Sequence, residues 1–254
     1  MIRSDIKSLL YYNTCEALWT VLQPRHMSIP TEEVWLDIAK VWQRWDFPHC
    51  IGTIDGKHVN IKAPNGSGSD FFNYKKFFSI VMMVVSDTRY HVILLDVGES
   101  GHNNDAGIFG RSDIGISLTE NTLNIPDKMR VPGVLSTTTP GVLQNRPILP
   151  YVIVGDEAFP LKTYLMRPYS GNNLETVKRI FNYHLSRARR IVGKVFGILA
   201  VRFRFYLRMM FANPETIKAM VKATCELHTF LRDSECLQPA RERQYCPPNF
   251  VNRE

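Results

Sequence analysis

The sequence predicts an α/β fold, a mixed sheet flanked by helices behind a short helical preface. Three observations carry this. Residues 50–61, 77–85 and 91–97 are short consecutive runs rich in Val, Ile and Phe, separated by turn residues such as Asp87-Thr88-Arg89. A further apolar run, Tyr151-Val152-Ile153-Val154, suits a strand buried on both faces. Long stretches with a helical apolar period precede and follow these runs.

Taken in order, residues 4–23 place Leu9, Leu10, Leu18, Val21 and Leu22 on an amphipathic helix that Pro24 stops. Thr31 is a candidate N-cap for a second helix. Glu32 and Glu33 lie in its first turn, and Val34, Ile38, Val41, Trp42 and Trp45 recur at helical spacing before Pro48. Three strands follow, at least two of them antiparallel. Residues 103–109 read as a short helix entry, with Asn103 as N-cap and Asp105 in the first turn. Residues 111–150, with Pro126, Pro132, Pro140, Pro147 and Pro150, read mostly as loop. The fourth strand, residues 151–155, runs into Asp156-Glu157. Residues 172–211 are helical, with Leu185, Ala188, Val192, Val195 and Leu199 on one face; Asn213-Pro214-Glu215 opens the last helix, carrying Ile217, Met220, Val221, Leu227 and Leu231. Beyond Asp233 the polar, proline-containing composition predicts poor order. The division is therefore a helical preface (1–45), a main domain (46–233) and a tail (234–254).

Composition narrows the class. At 44% apolar and 22% charged residues, collagen-like and wholly disordered chains are excluded. No apolar stretch approaches a membrane span and the start lacks a signal-peptide core, so the expectation is a soluble intracellular protein without a membrane partner. Five scattered cysteines with no CxxC fit a reducing compartment. A net charge of +7 makes a polyanion the first partner to consider.

Two apolar runs each deliver an aspartate into a turn, Ile51-Gly52-Thr53-Ile54-Asp55-Gly56 and Val152-Ile153-Val154-Gly155-Asp156-Glu157. On neighbouring strands the two carboxylates would meet where hard divalent cations bind oxygen. The plain alternative is that Asp-Gly makes a turn and strand-end aspartates cap loops. Between Thr176 and Pro214 stand nine basic residues, Lys178, Arg179, Arg187, Arg189, Arg190, Lys194, Arg202, Arg204 and Arg208, and no acid. A solvated helix face usually interleaves acids for pairing, so this stripe favours phosphate contacts with nucleic acid. Cys225-x-x-His228, with Cys236 and Cys246, lacks finger-like zinc spacing and reads as helix face.

Several longer motifs stand in a fixed order: Trp45-Asp46-Phe47-Pro48-His49-Cys50-Ile51-Gly52-Thr53-Ile54-Asp55-Gly56-Lys57-His58-Val59, Asn73-Tyr74-Lys75, Val154-Gly155-Asp156-Glu157-Ala158-Phe159-Pro160-Leu161, and Phe181-Asn182-Tyr183-His184-Leu185-Ser186-Arg187-Ala188-Arg189-Arg190-Ile191-Val192. Together they resemble the Harbinger-type transposases and the nucleases derived from them. The resemblance implies an RNase H-like fold and a DDE active site with two Mg²⁺ or Mn²⁺ ions that cleaves DNA phosphodiesters. It assigns Asp55 and Asp156 as catalytic metal ligands and Asp105 as a supporting one, with Arg187, Arg189, Arg190 and Lys194 as nucleic-acid contacts.

The family's third acid follows Arg-Arg-x-Val, and here that position is Gly193. Glycine supplies no ligand and costs roughly 1 kcal/mol in a helix relative to alanine. The expectation is a transposase-derived, metal-dependent nuclease by ancestry with an impaired site. The alternative is a non-catalytic, domesticated or decaying transposase domain acting as a DNA- or protein-binding module. The resemblance further implies a nuclear location, with the cytoplasm as a second compartment, and a separate Myb-like DNA-binding partner.

Overall fold

The computed structural model describes residues 2–102, 105–132 and 146–247, with side chains for these residues except 2–7 and Asp105. A five-stranded mixed sheet forms the centre, with helices on both faces. Its strands are β1 (Cys50–Asn60), β2 (Ser79–Ser86), β3 (Val92–Ser100), β6 (Val152–Val154) and β7 (Leu165–Met166), in the order β3-β2-β1-β6-β7. β1, β2 and β3 are antiparallel neighbours, whereas β6 runs parallel to both β1 and β7. Such an arrangement is consistent with an RNase H-like fold. A separate two-stranded ribbon joins β4 (Met129–Arg130) to β5 (Ile148–Leu149).

β2 is buried along its whole length because both faces are covered. Val81, Met83 and Val85 pack with Trp35 of α2 (Glu32–Gln43), with Ile108 and Phe109 of α3 (Asp105–Arg111), and with Ile114 and Leu118 of α4 (Asp113–Thr119). Ile80, Met82 and Val84 pack on the other side with Val192, Val195, Phe196 and Leu199 of α5 (Thr176–Arg202) and Ile217, Val221 and Cys225 of α6 (Pro214–Cys236). The period of two thus divides one strand between two apolar clusters. A third cluster, containing Trp42, Cys50, Val154, Leu185 and Ala188, fixes the first half of α5 to β6.

Several elements depart from the sequence reading. α1 (Ile2–His26) passes Pro24 by a partial turn, with the Met27 N–H donating to Gln23 O at 3.0 Å. Its expected apolar face is wrong at Leu9, Leu10 and Val21, which are exposed. α1 instead packs on α6, with Ser8 against Thr216 (3.2 Å), Trp19 beneath Lys222 and His26 against Asp233 (2.7 Å). Adjacent leucines leave the face of a helix ambiguous, and the partner helix decides it.

The proline-rich stretch also holds α4. Its N-cap Ser112 accepts from Gly115 N at 3.0 Å, and Ile114 and Leu118 are buried one turn apart. Pro140 of that stretch lies outside the described residues. The basic helix ends at Arg202 and continues as a 3₁₀ turn over Arg204–Leu207. α6 opens as expected, with Asn213 Oδ1 accepting from Thr216 N at 2.7 Å and Pro214 in the first turn. Beyond Asp233 the chain is held rather than loose as far as residue 246, since Glu235 accepts from the backbone N–H groups of Tyr245 and Cys246. That buried carboxylate supplies order that composition does not reveal.

Candidate functional site

Asp55 stands opposite Val84 in the β1–β2 register. Val84 belongs to the cluster under α5 and α6, as does Val59 four residues along β1, so Asp55 projects from the face that carries α5. On its other edge β1 pairs with β6 through Thr53 and Val154. Asp55 and Asp156 each follow that pair by two residues, Asp156 lying beyond the end of β6. The chain turns there, with Asp156 Oδ1 accepting from Ala158 N at 2.9 Å and Asp156 O accepting from Phe159 N at 3.2 Å. Gly155 makes the approach possible, because a Cβ there would lie 2.9 Å from the Phe159 ring. Asp55 itself accepts from Gly56 N at 2.8 Å.

α5 crosses this face. Arg189 Nη2 meets Asp156 Oδ2 at 3.5 Å, both side chains being partly exposed, while Arg189 Nε is buried without a hydrogen-bond partner. Gly193 lies four residues on, one turn along the same face. It is exposed, and a Cβ added there would meet nothing within 4 Å. Three residues further, the Phe196 ring lies beneath the Lys57 ammonium at 5.8 Å. Gly193 is thus bracketed by a residue that reaches Asp156 and one that reaches the residue two beyond Asp55.

The four arginine and lysine candidates separate in space. Arg187 is anchored inward: it donates to Trp45 O at 2.5 Å, pairs with Asp46 at 3.3 Å and stacks over the Trp45 ring. Arg189 faces Asp156, Arg190 is exposed, and Lys194 is half-buried. Arg187 therefore ties α5 to the connection before β1 more than it presents charge to solvent. Asp105 opens α3, but its side chain lies outside the described residues, as do Asn103 and Asn104.

Sequence reasoning quoted Lys57, His58 and Asn73-Tyr74-Lys75 without giving them a role, and the structure joins the last three to His58. Asn73, nearly fully buried, accepts from Lys75 N at 2.9 Å and Phe77 N at 3.3 Å and donates to Ser79 Oγ at 2.8 Å. Ser79 Oγ also meets His58 Nδ1 at 2.8 Å. Burial and then the Lys75 charge hold Lys57 below the usual lysine range, with Asp55 opposing them. The same two causes hold His58 below the ordinary imidazole value. Three Val- and Phe-rich strands drew attention to the sheet; the turn that brings Asn73 and Tyr74 to His58 of β1 has no periodicity to read.

Among the described side chains at this face, two acids and one glycine stand at the positions singled out in the sequence. Asp55 and Asp156 offer oxygen, Gly193 offers none, and Asp156 already faces a guanidinium. Among the described residues no group of three His, Cys, Asp or Glu side chains is arranged to hold a metal ion. This includes Cys225 and His228. The His228 Nε2–H donates to Tyr90 O (2.6 Å), leaving Nδ1 to accept from Tyr245 O–H (2.8 Å). The buried Cys225 thiol is pushed up to about 12.

Comparison with known proteins addresses this same face. The family model for the DDE superfamily endonuclease matches residues 54–229. Protein ALP1-like of Arabidopsis thaliana is 26% identical over 191 residues, covering 74% of this chain and 44% of that protein. HARBI1 of Bos taurus is 26% identical, and HARBI1 of Homo sapiens 25% identical, each over 184 residues that cover 71% of this chain and 45% of the relative. The chain thus spans less than half the length of these relatives. No solved structure matches it. Among the described residues no helix is long and apolar enough to cross a membrane. The family match takes in the part of β1 bearing Asp55, the turn bearing Asp156, all of α5 and most of α6, well over half of the sequence, and on that ground the chain belongs to the DDE superfamily endonucleases.

Proposed function

We propose that this chain is a transposase-derived, nuclease-like protein that holds DNA on its basic surface and cuts it poorly or not at all. One observation carries the reading: the position from which the family's third carboxylate would project is Gly193, open and without a side chain, one turn from the arginine that faces Asp156. When bound by three acids, divalent ions supply Lewis acidity and an activated water for phosphodiester cleavage. This chain's residues fit that pair of ions poorly, since Gly193 brings no oxygen and Asp156 already faces Arg189. What its residues do provide is cationic surface. Arg179 and Arg190 are exposed on one side of α5, eleven residues and thus three turns apart, suited to backbone phosphates rather than base edges. Such contacts are sequence-tolerant, so target choice would fall to a separate Myb-like protein in the nucleus.

A second reading is favoured by the parallel pairing of Thr53 with Val154, two residues before Asp55 and Asp156 on each side, since this chain retains both aspartates on which ancestral cleavage depends. Calorimetric titration with Mn²⁺ separates the two readings. The parent chain should bind Mn²⁺ at least about tenfold more weakly than Gly193→Glu, a difference of about 1.4 kcal/mol. Adding Asp55→Asn to Gly193→Glu should remove the gain. Equal affinity in the parent and Gly193→Glu, abolished by Asp55→Asn in each, would overturn the impaired-site reading. Glutamate is a far better helix former than glycine and has open space at this position, so the variant retains the fold.

A further inference from the structure

We propose that a groove formed by α1, the α5–α6 connection and α6 docks an amphipathic helix of a partner protein that carries acidic residues beside its apolar face. The groove encloses about 550 Å³, and Tyr11 of α1, Phe205, Met209 and Phe211 of the connection and Met220 of α6 supply its walls. The backbone explains why such side chains stand in the open. Met210 N–H donates to Asn60 O and Met210 O accepts from Lys62 N–H, both at 2.9 Å, so the connection lies alongside the end of β1 as an extended segment. Alternation along an extended chain then sends Met210 into the core and its two neighbours outward: Met210 is 6% exposed, Met209 45% and Phe211 75%. The preceding 3₁₀ turn is fixed as well, since Tyr206 is buried and its hydroxyl meets Thr224 Oγ1 of α6 at 2.7 Å. On the other wall the Ser8 hydroxyl meets that of Thr216 at 3.2 Å, which holds the turn of α1 bearing Tyr11 beside the start of α6. The apolar surface is therefore built on bonded backbone and is not a loose loop.

Charge says what covers it. Arg204 and Arg208 line the groove and both are exposed. Among the described residues no acid lines it and neither arginine makes an ion pair; Glu215, the nearest acid along the chain, is held by Lys218 at 3.0 Å. An apolar groove alone would accept any apolar segment. Two guanidinium groups at its edge select one with carboxylates flanking its apolar stripe and disfavour a basic one. Methionines and aromatic rings with few polar atoms suit the apolar face of a helix, whose anchors recur at i, i+3, i+4 and i+7. Duplex DNA is the poorer occupant, because its phosphates would use the two arginines but leave Met209, Phe211 and Met220 against a polyanion. Neither Arg179 nor Arg190 lines the groove, so it adds a protein partner to the DNA reading without depending on it.

The test is fluorescence anisotropy with two labelled helical peptides of about 16 residues that share Leu and Phe at i, i+3, i+4 and i+7 and carry either Glu or Lys at the flanking positions. The Glu peptide should bind the parent chain with micromolar affinity, at least about tenfold tighter than the Lys peptide at about 50 mM salt, the gap narrowing toward about 300 mM as screening grows. Phe211→Ser should weaken the Glu peptide about fivefold or more. Arg204→Glu combined with Arg208→Glu should invert the order of the two peptides. All three side chains are exposed, so these variants keep the fold, and the comparison of the two peptides on the parent chain needs no variant at all. Equal binding of the two peptides, no binding of the Glu peptide up to about 100 μM, or full affinity in Phe211→Ser would each overturn the proposal. Weaker binding of a labelled duplex by the arginine double variant, with neither peptide bound by the parent, would overturn it too and assign the two arginines to nucleic acid.

Discussion

Replacing Asn73 by alanine should be among the most damaging single changes outside the apolar clusters. Asn73 is 2% exposed, and its side chain makes four hydrogen bonds: it accepts from Lys75 N and Phe77 N, and its Nδ2 meets Ser79 Oγ and, at 3.5 Å, His58 Nδ1. The turn it closes includes Lys76 at φ +66°, a left-handed conformation that a lysine adopts only when its surroundings hold it. Behind Ser79 stands Gly101, where a Cβ would lie 2.0 Å from the Ser79 hydroxyl, so the space leaves little room to relax. Each net hydrogen bond contributes about 0.5–1.5 kcal/mol, and a buried polar group left unsatisfied costs about 1–3 kcal/mol; since water can reach part of the turn, a total of about 2–4 kcal/mol is expected. With a urea m-value of about 3 kcal/mol/M, the midpoint should fall by about 1 M. Hydrogen exchange at the Lys75 and Phe77 amides should accelerate alongside. A loss below about 0.5 kcal/mol, with both amides still protected, would refute the claim that Asn73 organises this turn.

Two further predictions concern stability. Burial opposes charge on His91, but its hydrogen bonds to Asp87 and Cys236 and the charges of Asp87 and Asp233 outweigh this and raise it to about 9; burial holds His228 down at about 4. The folded pKa of His91 exceeds its unfolded value of about 6.5, so its contribution is complete below that pH and is lost as pH rises through about 9. His228 is the reverse, its contribution complete above about 6.5 and lost as pH falls toward about 4. Denaturant midpoints against pH should therefore lose their alkaline decline in part in His91→Asn and their acid decline in part in His228→Phe; unchanged limbs would refute these assignments. Gly155→Ala should cost about 1–3 kcal/mol, because the new Cβ crowds the fully buried Phe159 and moves the turn that carries Asp156. A melting temperature equal to the parent's would mean the approach is looser than the 2.9 Å contact requires.

How much of this could be read beforehand depended on the range of the interaction. β1 and the start of α6 were legible because their signals are local: a Val- and Ile-rich run ending in turn residues, and Asn213-Pro214 at a helix start. β7 has two residues and no period to detect, and its place is set by pairing with β6 through Ile153 and Val154. The face of α1 was misread because Leu9 and Leu10 outweigh Trp19 in any apolar count, whereas contact with α6 selects the Trp19 side. The order of the tail escaped for a related reason, since Glu235 binds backbone amides ten and eleven residues away. At the candidate site, Asp55, Asp156 and Gly193 came from motifs that fix position in sequence. That Arg189 faces Asp156, that Arg187 is tied to Trp45, and that Tyr74 comes back against His58 of β1 are long-range contacts that only the folded chain displays.

The central claim is that the missing side chain at Gly193 accounts for an incomplete metal centre on an otherwise retained site. The most direct measurement is nicking of supercoiled plasmid in Mn²⁺ by the parent chain, Gly193→Glu, and Gly193→Glu combined with Asp55→Asn. Cutting restored in Gly193→Glu alone is the predicted result. Equal cutting by the parent chain, abolished by Asp55→Asn, would contradict it and show that two aspartates and some other acid suffice.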